Sequence, residues 1–498
     1  MNRKKAYPMK SRILTLMTAC AIGCAMTGGG AAEAGTLADA GVTPLPAYKR
    51  FTENNPLYTQ RFGADPGVME YGGRFYVYMT DDIVEYDGLG KVKENSYSQI
   101  RCINCISSAD LVNWTDHGRI QVAGPMGIAT WATNSWAPCA AHKIIDGQER
   151  FFLYFCNGGN GIGVLTADSP TGPWRDELGH LLITRQTPNC ANVVWLFDPA
   201  VMVDEDGTGY LAFGGGVPQG QEAAPGTARI VRLTDDMLGL DCDPVVIDAP
   251  YLFEDSGINR IGDKYIYSYC SNWQTDGNTL HLTSGAIEYM AAEDPLGPYT
   301  YKGELFPNQG RYFGLYGNNH HSIGCLDGVW YLLYHNRPVE KAMGITGNYR
   351  SPQINKLPVG EDGTICVVIG TMSGVPQRFA LNPYEEVRAA TMSNQAGISL
   401  RGTPGGEFCI HGQEGSWTRV SGADFGEGSH TLRIRAASRN GCHLYVVDTN
   451  LRGQILADFE IPASSAAAEY TAECALSGEK HLCFVFGGEA DFYAWQAE

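Results

Sequence analysis

The sequence has a deficit of basic residues, and outside its first 35 positions it has no hydrophobic run long enough to cross a membrane. It contains 36 Lys and Arg against 54 Asp and Glu. An acidic excess of this size repels nucleic acid and anionic membrane surfaces. We therefore expect no nucleic-acid partner and no membrane span, and the charge is compatible with a neutral polymer as partner.

The sequence also lacks a second Cys-x-x-C pair at zinc-ribbon spacing. Cys102 and Cys105 form the first pair. Because no second pair follows, the sequence argues against a zinc site. Thirteen cysteines follow position 34, an odd number, and most lie in apolar, strand-like runs such as those that end at Cys156 and Cys270. This placement is typical of cysteines that act as small hydrophobic core residues. A small number of disulfides is the alternative.

The first 34 residues predict a secretory signal peptide. A basic start precedes the short apolar run ILTLMTACAIGCAMTG, and Ala32-Glu33-Ala34 then offers a cleavage site. Removing residues 1–34 leaves 31 basic and 53 acidic residues and a net charge of −22. We therefore expect a secreted, extracellular protein. Lipid attachment at Cys20 or Cys24 is the alternative, although neither has a leucine three residues before it.

One hairpin pattern recurs five times. Each copy has a β-forming run, a turn with Gly beside Gly or Asp, and an aromatic-rich run, as in GVMEYGGRFYVYM. Such pairs supply the positive φ that tight hairpins need. The turns, which begin 74, 60, 56 and 65 residues apart, are Gly72-Gly73, Asp146-Gly147, Asp206-Gly207, Gly262-Asp263 and Asp327-Gly328. Repeated hairpins must stack to bury both faces, so we predict an all-β fold with a five-bladed β-propeller over 35–380. The alternative is an array of β-sandwiches in which the hairpins recur by coincidence.

A distinctive residue lies seven to ten positions before each turn. In a propeller the first strand of every blade surrounds one axis, so equal offsets predict that these five side chains converge at one end of it. Carboxylates packed together repel one another, and burying them is costly unless they are paired or used. The five residues are Asp65, Trp136, Asp198, Glu254 and His320.

The common register favours a catalytic centre. Taken singly, Asp65 and Asp198 precede prolines and suit turns. Glu254 alone suits a solvated loop, and His320 alone suits a core position. Hydrolysis of a glycosidic bond needs one carboxylic acid for the leaving oxygen and one carboxylate to activate water. A third carboxylate can keep the pKa of the acid high, and Trp136 would provide an apolar wall for a sugar ring.

Long stretches carry a family resemblance. They run from about residue 55 to 358 and include NPLYTQRFGADPGVM, SWAPCAAHKI, VVWLFDPAVMVDEDGTGYLAFGGGVP, FEDSGI and GNNHHSI. With them the chain resembles glycoside hydrolase family 43, and within it the arabinoxylan arabinofuranohydrolases. The resemblance implies an inverting α-L-arabinofuranosidase that acts on arabinoxylan or a related plant hemicellulose. A β-xylosidase acting on xylo-oligosaccharides is the alternative.

The resemblance implies a role for each matching residue. Asp65 falls on the general base, Asp198 on the carboxylate that tunes and orients the acid, and Glu254 on the general acid. His320 falls on the residue that meets a central metal ion, often calcium, directly or through water. Because calcium prefers oxygen ligands, a lone histidine implies an ion held mostly by waters. The residues expected to bind substrate are Trp136, Trp195, Phe253, His321 and Arg350.

The hairpin repeat stops near Leu381, and alternating runs from 381 to 498 predict a β-sandwich, or jelly-roll, domain. Its order of motifs resembles a family 6 carbohydrate-binding module. The sequence departs from that family where aromatic residues would face a sugar, because one loop offers only Tyr470. Trp417 and Trp495 remain, and both suit a core. Sugar binding and a purely structural role therefore stay open for this domain.

Other classes of protein fit less well. A non-catalytic sugar-binding propeller would lack one of the three carboxylates, all of which are present. A structural surface protein would not need five such residues in register. We expect a monomer whose partner is arabinoxylan or a xylo-oligosaccharide, with no organic cofactor.

Overall fold

The computed structural model describes residues 35–360, 363–402 and 407–498, so the predicted signal peptide lies outside the described residues. The described chain is all-β, with two short helices. Within those residues, no helix is long and apolar enough to cross a membrane. The helices are α1 (Gly310–Phe313) and α2 (Pro338–Met343).

Five antiparallel sheets follow one another along the first part of the chain: sheet I is β1 to β4, sheet II β5 to β7, sheet III β8 to β11, sheet IV β12 to β15 and sheet V β16 to β18. Each sheet is a meander, in which every strand pairs with the next strand in the sequence. The strands are β1 (Ala64–Tyr71), β2 (Arg74–Thr80), β3 (Cys102–Ser108), β4 (Trp114–Gln121), β5 (Trp136–Ile145), β6 (Gln148–Cys156), β7 (Ile162–Ala167), β8 (Ala200–Val203), β9 (Gly209–Phe213), β10 (Ala228–Arg232), β11 (Val245–Ile247), β12 (Leu252–Ile261), β13 (Lys264–Ser271), β14 (Ile287–Ala292), β15 (Thr300–Phe306), β16 (His321–Leu326), β17 (Val329–Asn336) and β18 (Ser351–Lys356).

All five predicted hairpins are confirmed. Each predicted turn joins the first and second strands of one sheet. Positive φ occurs in every one of them, for example 61° and 73° at Gly72 and Gly73 and 52° and 76° at Asp146 and Gly147. Two successive residues in this region match the right-handed twist of the paired strands.

The five sheets close on one another in cyclic order. A separate hydrophobic core fills each of the junctions I–II, II–III, III–IV, IV–V and V–I. The first strands of all five sheets line one narrow central cavity. Gly67 in β1 lies so close to β5 that an added Cβ would be 2.1 Å from the carbonyl oxygen of Pro138, so only glycine fits there.

The C-terminal part forms two further sheets that face each other across a single core. One has the order β22-β23-β30-β25-β28, with β19 pairing with β30, and the other has the order β21-β24-β29-β26-β27. Strand β20 instead pairs with β4 and so extends sheet I. The strands are β19 (Val387–Arg388), β20 (Thr391–Met392), β21 (Asn394–Ala396), β22 (Ser399–Gly402), β23 (Phe408–Gly412), β24 (Trp417–Asp424), β25 (Ser429–Ser438), β26 (Cys442–Asp448), β27 (Ile455–Ile461), β28 (Ser464–Leu476), β29 (Glu479–Phe486) and β30 (Ala490–Ala497).

The first described residues pack on this C-terminal part, which the sequence did not predict. Leu37, Val42, Leu45 and Phe51 join the outer face of the second sheet in one apolar cluster with Trp417. The indole Nε1–H of Trp417 donates to the carbonyl oxygen of Leu45 at 2.8 Å. The segment 35–51 therefore covers a sheet face that would otherwise be exposed.

Candidate active site

A β-bulge opens the first strand of sheets I, II and IV. The pairing register shifts between Ala64 and Gly67, Trp136 and Cys139, and Glu254 and Gly257. The residue that starts each bulge has positive φ: 51° at Asp65, 37° at Ala137 and 70° at Asp255, and Asp198 shares this conformation at 49°. Bulges redirect side chains, and positive φ strains a residue other than glycine. Four residues with a strained backbone thus lie where the first strands meet.

These bulges shift the predicted ring by one residue in two sheets. Asp65, Asp198 and Asp255 occupy matching positions, whereas Glu254 and Trp136 precede that position by one. Counting residues back from each turn cannot detect the extra residue that a bulge inserts into a strand. Asp255, which the sequence did not single out, therefore joins the ring beside Glu254.

Asp65 is a buried carboxylate with several donors. Its Oδ1 accepts from Arg350 Nη1 at 2.9 Å, and its Oδ2 accepts from Thr80 Oγ1 at 2.7 Å. Its backbone N–H donates to His335 Nδ1 at 3.1 Å. Burial alone would raise the pKa of Asp65, but Arg350, His320 and His335 hold it well below its ordinary value. Asp65 is therefore ionised across the neutral range.

Asp198 and Glu254 are shifted in the opposite direction. Burial, together with the charges of Asp65 and Asp255, raises the pKa of Glu254 to about 8. Burial and the repulsion of Glu254 and Asp65 raise the pKa of Asp198 well above its ordinary value. Oε1 of Glu254 is buried and has no hydrogen-bond partner among the described residues. The pair therefore retains a proton at neutral pH, beside an ionised Asp65.

Asp255 lies between two histidines. His320 Nε2 lies 3.1 Å from Asp255 Oδ1, and His320 Nδ1 lies 3.5 Å from Asp65 Oδ1 and 3.9 Å from Asp198 Oδ2. The side chain of His321 is fully buried, with Nδ1 2.5 Å from Asp255 Oδ2 and Nε2 2.7 Å from Ser268 Oγ. His320 thus faces the carboxylates, whereas His321 has no ring nitrogen left for a substrate.

Arg350 holds Asp65 in place from the side of sheet V. Its Nε and Nη2 donate to the two carboxylate oxygens of Asp82 at 2.9 and 2.8 Å, while Nη1 reaches Asp65. Arg350 as a whole is 4% exposed. Such a bidentate pair fixes the guanidinium in one orientation. Arg350 therefore positions Asp65 and exposes little surface that a substrate could contact.

Aromatic residues flank two of the carboxylates, because Phe197 directly precedes Asp198 and Phe253 directly precedes Glu254. Trp195 packs against Phe197 and Phe253 with ring centroids 5.2 and 5.3 Å apart. Trp136 lies in the same apolar cluster as Trp195 and Phe197, and its Nε1–H donates to the carbonyl oxygen of Tyr97 at 3.0 Å. The structure therefore brings Trp136, Trp195 and Phe253 together in one aromatic cluster, and their contact with a sugar stays a prediction.

Buried carboxyl groups with opposite pKa shifts suit the acid and the base that hydrolysis of a glycosidic bond needs. The sequence matches Glycosyl hydrolases family 43 over residues 54–365. The chain belongs to that family.

The chain is similar to two curated arabinoxylan arabinofuranohydrolases. It is 46% identical to that of Paenibacillus polymyxa over 82% of this chain and 67% of the relative. It is 42% identical to that of Bacillus subtilis over 90% of this chain and 93% of the relative.

Solved structures of the family are similar too. The crystal structure of the Bacillus subtilis family 43 arabinoxylan arabinofuranohydrolase in complex with cellotetraose is 41% identical and has a TM-score of 0.88 over 91% of this chain and 99% of that one. An α-L-arabinofuranosidase from Clostridium thermocellum is 36% identical with a TM-score of 0.50, over 64% of this chain and 98% of that one.

Proposed function

We propose that the protein removes α-L-arabinofuranosyl side chains from arabinoxylan, with inversion at the anomeric carbon. The observation that carries the proposal is the juxtaposition of ionised Asp65 with the pair Glu254 and Asp198, which retains a proton, in one buried centre. The substrate follows from the two relatives that are more than 40% identical, both named arabinoxylan arabinofuranohydrolases.

In the proposed mechanism, Glu254 protonates the glycosidic oxygen as the bond to the sugar breaks. Asp65 takes a proton from a water that attacks the anomeric carbon from the opposite face. Asp198 keeps the acid oriented, since its carboxyl faces the backbone N–H of Asp255 at 2.9 Å, next to Glu254. The inverting geometry needs a separation of about 6.5–9.5 Å between acid and base, so that the water fits between them.

Purified mature protein should release L-arabinose from wheat arabinoxylan and cleave p-nitrophenyl α-L-arabinofuranoside. Proton NMR of the first product should show the β-anomer, because the attack inverts the configuration. Release of xylose without arabinose would instead support a β-xylosidase. Absence of turnover with retained binding would support a non-catalytic sugar-binding protein.

We expect kcat/KM to fall as the pH rises through about 8. Glu254 must be protonated to act, and its raised pKa keeps it protonated through neutral pH and deprotonates it above about 8. The pKa of Asp65 lies well below its ordinary value, so no loss is expected between pH 5 and 7. Initial rates of arabinose release from arabinoxylan between pH 4 and 10 check this, because its sugar leaving group needs the acid. A loss of activity as the pH falls from 7 to 5 would contradict the assignment of the base.

The architecture that we propose around this centre is a five-bladed β-propeller. Five sheets with a core at every junction and a shared central cavity support it. We further propose a signal peptide over 1–34, secretion to the extracellular space, a catalytic domain over 35–380 and a family 6-like module over 381–498. Residues 35–51, at the start of the proposed catalytic domain, pack on the C-terminal sheets.

A calcium ion at the centre also stays a proposal. Among the described residues, no group of three or more His, Cys, Asp or Glu side chains could hold a metal ion. His320 Nδ1 makes no hydrogen bond to Asp65 or Asp198, so we propose that it meets an ion whose other ligands are waters. We expect calcium to raise the melting temperature of chelator-treated protein, measured by calorimetry, with magnesium as the control.

We propose that the C-terminal module buttresses the catalytic domain and does not bind sugar. Both aromatic residues that the sequence left open are core residues: Trp417 is 0% exposed, and Trp495 is 2% exposed. The 35–51 segment covers the face that carries Trp417. The pairing of β20 with β4 ties the module to sheet I.

Trp417→Ala should therefore lower the free energy of unfolding by about 3–5 kcal/mol, because it opens a large cavity in a packed core. Denaturant titration measures this loss. Retention of the protein on insoluble arabinoxylan should not change. A folded Trp417→Ala protein that no longer binds the polymer would restore the sugar-binding hypothesis.

A further inference from the structure

Tyr97 lies in the long connection between β2 and β3 with a strained backbone. Its φ is 59°, which a bulky side chain rarely adopts and which costs roughly 1–3 kcal/mol. Asn95 Oδ1 accepts the backbone N–H of Tyr97 at 2.9 Å, and the carbonyl oxygen of Tyr97 accepts Trp136 Nε1–H at 3.0 Å. The surrounding residues therefore hold Tyr97 in a conformation that the chain alone disfavours.

The ring of Tyr97 covers part of the active site. It lies over the guanidinium of Arg350, with 5.1 Å between Cζ and the ring centroid. Its centroid is 6.4 Å from that of Trp136, with the planes at 71°. Arg350 is buried and Tyr97 is only partly buried. Tyr97 and Trp136 thus form two walls of one corner, beside the arginine that holds Asp65.

The hydroxyl of Tyr97 is available to a ligand. In the part of the chain that the structure describes, no hydrogen bond reaches it, although both main-chain polar groups of the residue are bonded. Partial burial raises the pKa of this hydroxyl, while Arg350 lowers it and the charges of Asp82, Asp65 and Glu254 raise it further. The group is therefore a protonated donor close to the catalytic carboxylates.

We propose that Tyr97 contacts the sugar in the active site. Its ring forms a wall at a large angle to Trp136, and its hydroxyl hydrogen-bonds a sugar hydroxyl. Strain that other residues enforce at a site is expected where the side chain is needed for function. The inference rests on the proposed function for the identity of the sugar, and on the geometry alone for the contact.

Three variants test the contact. Tyr97→Phe removes only the hydroxyl and should raise KM by roughly two- to tenfold, the range for one neutral hydrogen bond. Tyr97→Gly removes the ring and relieves the positive φ, so it should raise KM at least about tenfold while the melting temperature stays close to that of the wild type. Tyr86→Phe, in the same connection with Tyr86 59% exposed, is the matched control and should leave both quantities unchanged.

A structural role would give a different result. If Tyr97 only stabilises the connection, Tyr97→Gly lowers the melting temperature while KM stays within twofold for both variants, and the proposal fails. The comparison is made on whichever nitrophenyl glycoside the wild type cleaves best. Activity on the xyloside alone would refute the arabinofuranosidase proposal and leave the test of Tyr97 intact.

Discussion

Glu254→Gln should lower kcat on arabinoxylan by roughly 10²–10⁴-fold, the contribution of a general acid. The leaving group is a sugar hydroxyl, which departs poorly unless it is protonated. Glutamine keeps the shape of the side chain but has no acidic proton to give. The rate of arabinose release at saturating arabinoxylan measures the loss of kcat. The loss of kcat should be much smaller on the nitrophenyl substrate, because its leaving group needs little protonation.

Glu288→Gln is the matched control for Glu254→Gln. Glu288 in β14 is also a buried glutamate whose pKa burial raises to about 8, and it accepts from Tyr301 at 2.8 Å. It lies in the third strand of its sheet and not among the first strands that form the site. Its replacement should leave kcat unchanged. Equal losses on both substrates for Glu254→Gln would show that Glu254 is not the acid.

The sequence was sufficient for the hairpins and insufficient for the register at the site. Tight turns need residues that adopt positive φ, and Gly beside Gly or Asp meets this need. Asp146-Gly147 and the other turns could therefore be located from the local sequence alone. A bulge is a property of two paired strands. The shift at Glu254 therefore could not be read from one of them, and Asp255 went unnoticed although it is the next residue.

Contacts between distant segments were the other part that the sequence did not reveal. Asp82 and Thr80 lie far from Arg350 along the sequence and belong to no recognisable motif. In the structure, Asp82 fixes the guanidinium of Arg350 and Thr80 fixes the carboxylate of Asp65. The covering of the C-terminal sheet by residues 35–51 depends on a match of apolar surfaces that no periodicity encodes. The meeting of Asp65, Asp198 and Glu254 in one centre was predictable, because so many carboxylates in one register are hard to explain by stability.

Asp65→Gly should lower turnover sharply without unfolding the protein. The backbone at Asp65 has a φ of 51°, which glycine adopts freely and alanine does not. Loss of the general base should lower kcat/KM by roughly 10²–10⁴-fold. The loss should be similar on arabinoxylan and on the nitrophenyl substrate, because activation of water does not depend on the leaving group. This pattern differs from that of the acid variant.

The space that Asp65→Gly opens admits a small nucleophile. Added azide should restore turnover of the nitrophenyl substrate and yield an arabinosyl azide of inverted configuration, because azide needs no base. Asp116→Asn is the control: Asp116 is a buried carboxylate whose pKa is held low by Arg61 at 2.7 Å, and it lies outside the site. Asp116→Asn should lose stability, retain kcat and give no azide product. Azide rescue of Glu254→Gln instead, with an inert Asp65→Gly, would mean that the two carboxyl groups do not have the roles assigned to them.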